Sequence, residues 1–265
     1  MEQSLTSFFW VAITLPILLL LQRWIHRHLR GVAYLVTGRM SWAVVLYAII
    51  LFPGVLLHEL SHWVTARLLG VRTGSISLLP QTRRDGTIQL GYVEYYKGRT
   101  LGPIRETLIG GAPLITGTLV LLLIGFYVFD VTTLTRALQS SRVDDLATAL
   151  GQVFTTPDFL VWLYFIFAIS NAMMPSPSDR RAWPAFLLLL AATAVVLYLL
   201  KLQTMVLDGL TGPMTTVFGY LGLAFSLAIG VDLVFMLFIS VVENVLSRIK
   251  GVELVYESVE APPDR

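Results

Sequence analysis

Five consecutive residues, His58-Glu59-Leu60-Ser61-His62, hold the densest chemistry in this chain. Two His four apart project from one face of a helix, so both imidazoles can reach a single zinc ion. Glu59, one step round the helix, then stands where a general base for a hydrolytic water belongs. In soluble proteins this spacing marks a metallopeptidase. Here the flanking sequence is apolar on both sides. Ionisable groups in hydrocarbon are expensive and functional as a rule. The pattern therefore implies peptide hydrolysis in or beside a bilayer, with Zn2+ as cofactor. A pair of buried polar residues packed between helices would explain the burial but not the spacing.

A catalytic zinc takes three protein ligands and leaves a fourth position open. The chain has four His, and the other two, His26 and His28, fall at the far end of the motif helix, where they read as interfacial side chains. With no Cys, thiolate ligands and disulfides are excluded. A carboxylate remains, and Asp179, Asp208 and Asp232 are the candidates. Asp179 follows an apolar segment that runs in the same direction as the motif segment, which brings it level with His62. Pro175 and Pro177 break the helix there and let it turn inward. Asp208 falls on the opposite face by the same count. Asp232 lies in mid-span, where a bond to a neighbouring helix accounts for it as well as a metal does. The preferred set is His58, His62 and Asp179 as metal ligands with Glu59 catalytic; Asp208 and Asp232 stay open as alternatives. Asn171, one to two helical turns before Asp179, is a candidate for hydrogen-bonding substrate backbone or for joining helices. Glu94 reads as a solvated strand residue.

The elements that must position these residues follow from hydropathy. Hydrophobic residues make up 55% and charged ones 14%, against roughly a quarter charged in soluble domains. The mean hydropathy is +0.73. The expected fold is an all-α polytopic membrane protein of about six transmembrane helices, over residues 5–21, 41–69, 107–129, 159–174, 182–200 and 215–242. The first lacks a basic leader and an A-x-A-type site, so it reads as a retained helix. Pro53 and Gly54 precede the motif, where a kink would open space around a metal. Alternation in Ser75-Ile76-Ser77-Leu78 and in 87–93, around Asp85-Gly86, predicts a β-hairpin. Gly110-Gly111-Ala112-Pro113 supplies small residues for close helix approach, and 130–157 is a mixed linker with partly amphipathic helical character. The chain divides into an N-terminal helix and basic loop (1–40), a core of three helices plus a hairpin at 72–98 (41–182), and two further helices with a mostly acidic tail (183–265). It shows no repeat and no stretch long enough for a separate soluble domain.

The net charge of +2 indicates no nucleic-acid partner, because the Arg residues cluster at helix ends where topology explains them. With six spans, twelve of nineteen Lys and Arg share the face that holds the 70–106 and 176–182 loops. That face is expected to be cytoplasmic, with the active site near it. The dense group Arg23, Arg27, Arg30 and Arg39 pulls the other way. The expected location is a prokaryotic-type cell membrane, as a multi-pass protein. Its partners are the lipid bilayer and a membrane-protein or peptide substrate. Substrate identity and oligomeric state leave no mark in the sequence.

The chain resembles the site-two protease type of intramembrane zinc metalloprotease, as a divergent member. That family has a three-helix core, with H-E-x-x-H on the first helix and N-x-x-P-x-P-x-x-D-G on the third. Here the motif helix, the Gly-Gly-Ala-Pro helix and the Asn171–Asp179 stretch occur in that order, over roughly residues 41–182. The resemblance implies Asp179 as third zinc ligand and a substrate presented as an added strand on the hairpin. Asn171 and Asp179 keep the family's spacing, but Pro175 and Pro177 each stand one residue late and Arg180 replaces the Gly. Outside the family, a transporter or a non-catalytic scaffold retaining zinc are the alternatives. The transporter gives no reason for the motif's spacing, and the scaffold predicts that Glu59→Gln changes nothing.

Overall fold

The computed structural model describes residues 2–78, 80–82, 88–95, 102–140 and 142–256. The described residues form eight helices and two short two-stranded sheets. The helices are α1 Glu2–Thr37, α2 Met40–Leu68, α3 Pro103–Tyr127, α4 Val131–Ser140, α5 Val143–Phe154, α6 Phe159–Ser170, α7 Trp183–Leu199 and α8 Gln203–Lys250.

α1 runs well past the apolar segment expected of it, straight through the basic stretch. The spacing explains why. Ile25, Leu29 and Ala33 are buried while Arg23, Arg27 and Arg30 are exposed, so one helix buries a stripe and turns its charges outward. α2 follows after Gly38, whose positive φ of 67° makes the reversal. Its buried residues, Ala43, Tyr47, Leu51, Val55, Glu59, His62 and Ala66, recur at helical spacing. The stripe that packs α2 is thus the stripe that carries the motif. Pro53 sits inside the continuous helix. One residue from the carbonyl that it deprives of a donor, Tyr164 Oη donates to Ile50 O at 3.0 Å.

Strands β1 Thr73–Ser77 and β4 Tyr92–Tyr95 pair antiparallel, as do β2 Gln81–Thr82 and β3 Ile88–Gln89. They nest as one long hairpin whose ladder is interrupted between the pairs, with a bulge between Thr73 and Ile76. The expected turn at Asp85-Gly86 and the hairpin's last residues, 96–98, lie outside the described residues.

Four helical segments are long and apolar enough to cross a membrane: Leu5–Thr37, Met40–Leu68, Pro103–Tyr127 and Gln203–Lys250. α5 and α6 meet at 90° and supply a fifth if the bent pair counts as one span. In place of six spans the structure therefore offers four or five. The linker at 130–157 is two helices, and α7, a shorter apolar helix of 17 residues, stands at the lower limit of the lengths that cross a membrane, about 17–25 residues. By length and composition these apolar helices are compatible with an integral multi-pass membrane protein.

α8 lies alongside α1 in the same direction. Phe8 meets Phe218, Trp10 Nε1 donates to Ser226 Oγ at 3.0 Å, and His28 Nδ1 lies 2.6 Å from Glu243 Oε2. α6 likewise runs with α2, and a Cβ on Gly54 would come within 1.9 Å of Ala168 O. Leu18, Ile25, Leu51, Leu121, Ile166 and Phe225 form the shared core of α1, α2, α3, α6 and α8. Phe167 stacks on Phe235 at 4.0 Å.

Candidate metal centre

The inward face of α2 delivers His58 and His62 one turn apart, and a backbone carbonyl sets each ring. His58 Nδ1 lies 2.6 Å from Ala172 O, and His62 Nδ1 lies 2.8 Å from Ile109 O. A carbonyl only accepts, so both rings carry their proton on Nδ1 and present a bare nitrogen at Nε2. The two Nε2 atoms stand 3.1 Å apart.

Asp179 completes the group from the segment between α6 and α7. α6 ends at Ser170, ahead of Pro175 and Pro177, and the chain then turns. Ser176 N–H donates to Asp179 Oδ2 at 2.7 Å, which fixes the carboxylate. Asp179 Oδ2 lies 3.7 Å from His58 Nε2, and Oδ1 lies 3.5 Å from His62 Nε2.

Three lone-pair atoms thus converge with no proton between them, an arrangement that repels itself unless a cation sits at the centre. Two donors each about 2.0–2.1 Å from a tetrahedral ion lie about 3.3–3.4 Å apart. The two Nε2 atoms, 3.1 Å apart, come near that value; the carboxylate meets the two rings with different oxygens, at 3.7 and 3.5 Å, and one ligand atom from each residue lies within 4.8 Å of the others. His58, His62 and Asp179 form a group that could hold a metal ion. A His₂-carboxylate set of this size suits zinc.

The rest of the site is made by close backbone approach. A Cβ on Gly110 would lie 2.0 Å from Asp179 O, so α3 touches the ligand's own backbone where only Gly fits. Glu59 is buried, and Gly91 covers it: a Cβ there would lie 2.8 Å from Glu59 Cγ. β4 begins one residue later, so the hairpin enters its strand directly over the carboxylate.

The other expected residues are placed as follows. Asp208 is exposed on α8 and Asp232 is buried, bonded to Ser170 and Asn171; neither joins the metal group. Asn171 is buried at the end of α6, its Nδ2 donating to Asp232 Oδ1 and Phe167 O. Glu94 is exposed and accepts from Ser75 Oγ at 2.7 Å. Arg180, where the family pattern has Gly, is exposed. His26 lies inside the bundle, not at its rim, joining Asn171 O to Tyr47 Oη. Gly91, Gly110 and the carbonyls of Ile109 and Ala172 carry no pattern of their own in the sequence. The only sign was the richness of 110–113 in small residues.

No protein-family model, curated protein or solved structure matches this chain.

Proposed function

We propose that this chain is an intramembrane zinc metalloprotease of the site-two type, which hydrolyses peptide bonds in or near the membrane segments of other proteins. The observation that carries the reading is the convergence of two bare imidazole nitrogens and a carboxylate beside a buried Glu on one apolar helix.

Zinc held by His58 Nε2, His62 Nε2 and Asp179 would polarise the scissile carbonyl and bring a water's pKa towards about 7. The chain's own groups do the rest. Ala172 O and Ile109 O keep the two rings in the tautomer that leaves Nε2 free. Glu59 takes the proton of the attacking water on its carboxylate and returns it to the leaving amine nitrogen. A helical substrate shields its carbonyls in hydrogen bonds, so the cleaved segment must be extended. β4, which starts beside Glu59, offers a strand for it to pair with.

Metal analysis of the detergent-purified protein tests the reading. About one zinc per chain is expected in the wild type and in Asp208→Ala, and its loss in His58→Ala and Asp179→Ala. Glu59→Gln should keep the metal while peptide hydrolysis falls at least ~10²-fold. A wild type that takes up no zinc when it is resupplied would sink the proposal. Full turnover in Glu59→Gln would leave the metal and remove the mechanism.

A further inference from the structure

Asp232 is fully buried in α8, inside a span, and no Lys or Arg pairs with it among the described residues. An ionised carboxylate in such a place is costly unless it is well partnered. Its two oxygens are served unequally. Oδ1 accepts from Asn171 Nδ2 at 2.9 Å and is 2.9 Å from Ser170 Oγ. Oδ2 has no partner, and neither has Asn171 Oδ1. Both orphans are acceptors, and they are the free ends of two planar groups already joined by one bond. A single proton on Asp232 Oδ2 satisfies both, because the hydroxyl can then donate to Asn171 Oδ1 and close a ring of two hydrogen bonds. His26 of α1 and Tyr47 of α2 stand next to this pair, with Arg30 of α1 beyond them, its Nε donating to His26 O at 2.9 Å. His26 donates from Nε2 to Asn171 O at 3.0 Å and its Nδ1 lies 2.7 Å from Tyr47 Oη, so its ring is taken up by two uncharged partners and not by Asp232.

The pair sits where it controls the metal centre. α6 ends at Ser170, and three successive carbonyls from that residue on are taken up by side chains from other helices. Gln22 Nε2 donates to Ser170 O at 2.6 Å, His26 to Asn171 O, and His58 to Ala172 O. The last of these holds the His58 ring. From the α8 side, Asp232 bonds both Ser170 and Asn171 and so fixes the segment that offers the carbonyl.

We infer that Asp232 is a neutral carboxylic acid closed onto the Asn171 amide, and that this pair is a positioning device which orients His58 through Ala172 O. The positioning role rests on the proposed metal site, whereas the proton on Asp232 does not. Infrared difference spectra of reconstituted wild type minus Asp232→Asn at neutral pH should show the C=O stretch of one protonated carboxyl. The spectrum of a carboxylate in its place would overturn the inference, whether or not any variant binds metal. Zinc release to a chelator reads the second half. Asp232→Asn, whose amide can make the same ring, should hold zinc within a few fold of wild type. Asp232→Leu should hold it about 10–100-fold less tightly, with helical content unchanged. A folded Asp232→Leu protein that keeps wild-type affinity would remove the positioning role. Should the wild type bind no zinc, the protease reading and the positioning role fail together, and the infrared band still decides the proton.

Discussion

Gly91 lies directly against Glu59. Its hydrogen stands where a methyl group would press on Glu59 Cγ at 2.8 Å and on Oε1 at 3.0 Å. Gly91→Ala should push the carboxylate aside while leaving His58, His62 and Asp179 untouched. The expected result is a normal zinc content with turnover reduced on the order of 10²-fold, the usual effect of displacing a catalytic group by about 1 Å. Metal analysis beside a peptide-cleavage assay separates this outcome from general unfolding, which would lose both. The contrast between Gly91 and Glu59 also shows what a sequence can reveal. His58, Glu59 and His62 were legible because a helix makes their spacing meaningful. Asp179 was legible from its place after a proline-broken span. Gly91 and the Asp232–Asn171 pair join residues far apart in the chain, and no local pattern announces such meetings.

At the scale of elements, the site depends on glycines of α2 and α3 that let α6 and the segment after it come close. Gly54 meets Ala168 O, Gly117 meets Met173 Cβ, and Gly110 meets Asp179 O. Between membrane helices, packing of small residues of this kind replaces the hydrophobic force that water would supply. A methyl group at residue 110 would have to move rigid backbone, the backbone of a metal ligand. Gly110→Ala is therefore expected to destabilise the bundle by about 1–3 kcal/mol and to lower zinc occupancy sharply. Gly111→Ala, with nothing within 4 Å of the added methyl, is the matched control and should behave as wild type in thermal unfolding and metal content. Hydropathy located the long apolar helices well, since a membrane selects for runs of that length. It missed that α1 continues through the basic stretch, because charges on the outer face of a helix look like a loop in a window average. The apolar segment expected at 182–200 is α7, Trp183–Leu199, to within one residue at each end.

At the scale of the molecule, the parallel course of α1 and α8 fixes a parity. A chain reverses direction at each crossing, so two crossings in the same sense are separated by an odd number of others. With α2, α3 and the bent α5–α6 pair between them, the count is five and the two ends emerge on opposite faces. Accessibility tags at the ends of the chain should be reached from different sides of sealed vesicles; both reached from one side would exclude this topology. Five crossings also even out the charges. One face then holds ten Lys and Arg, seven in 67–105 with Arg180, Arg181 and Lys201, and the other holds nine. The margin expected from six spans came from placing the tail with the 70–106 loop. What remains to orient the chain is the dense group of four, Arg23, Arg27 and Arg30 in the second half of α1 and Arg39 just after it. The order in which these parts leave the ribosome has a consequence of its own. The two His of the proposed centre are made early, Asp179 much later, and Asp232, which steadies the segment holding His58, later still. On the proposed function, a nascent chain stalled before Asp179 already carries both His but lacks the third ligand, and is expected to be inert in the membrane that receives it.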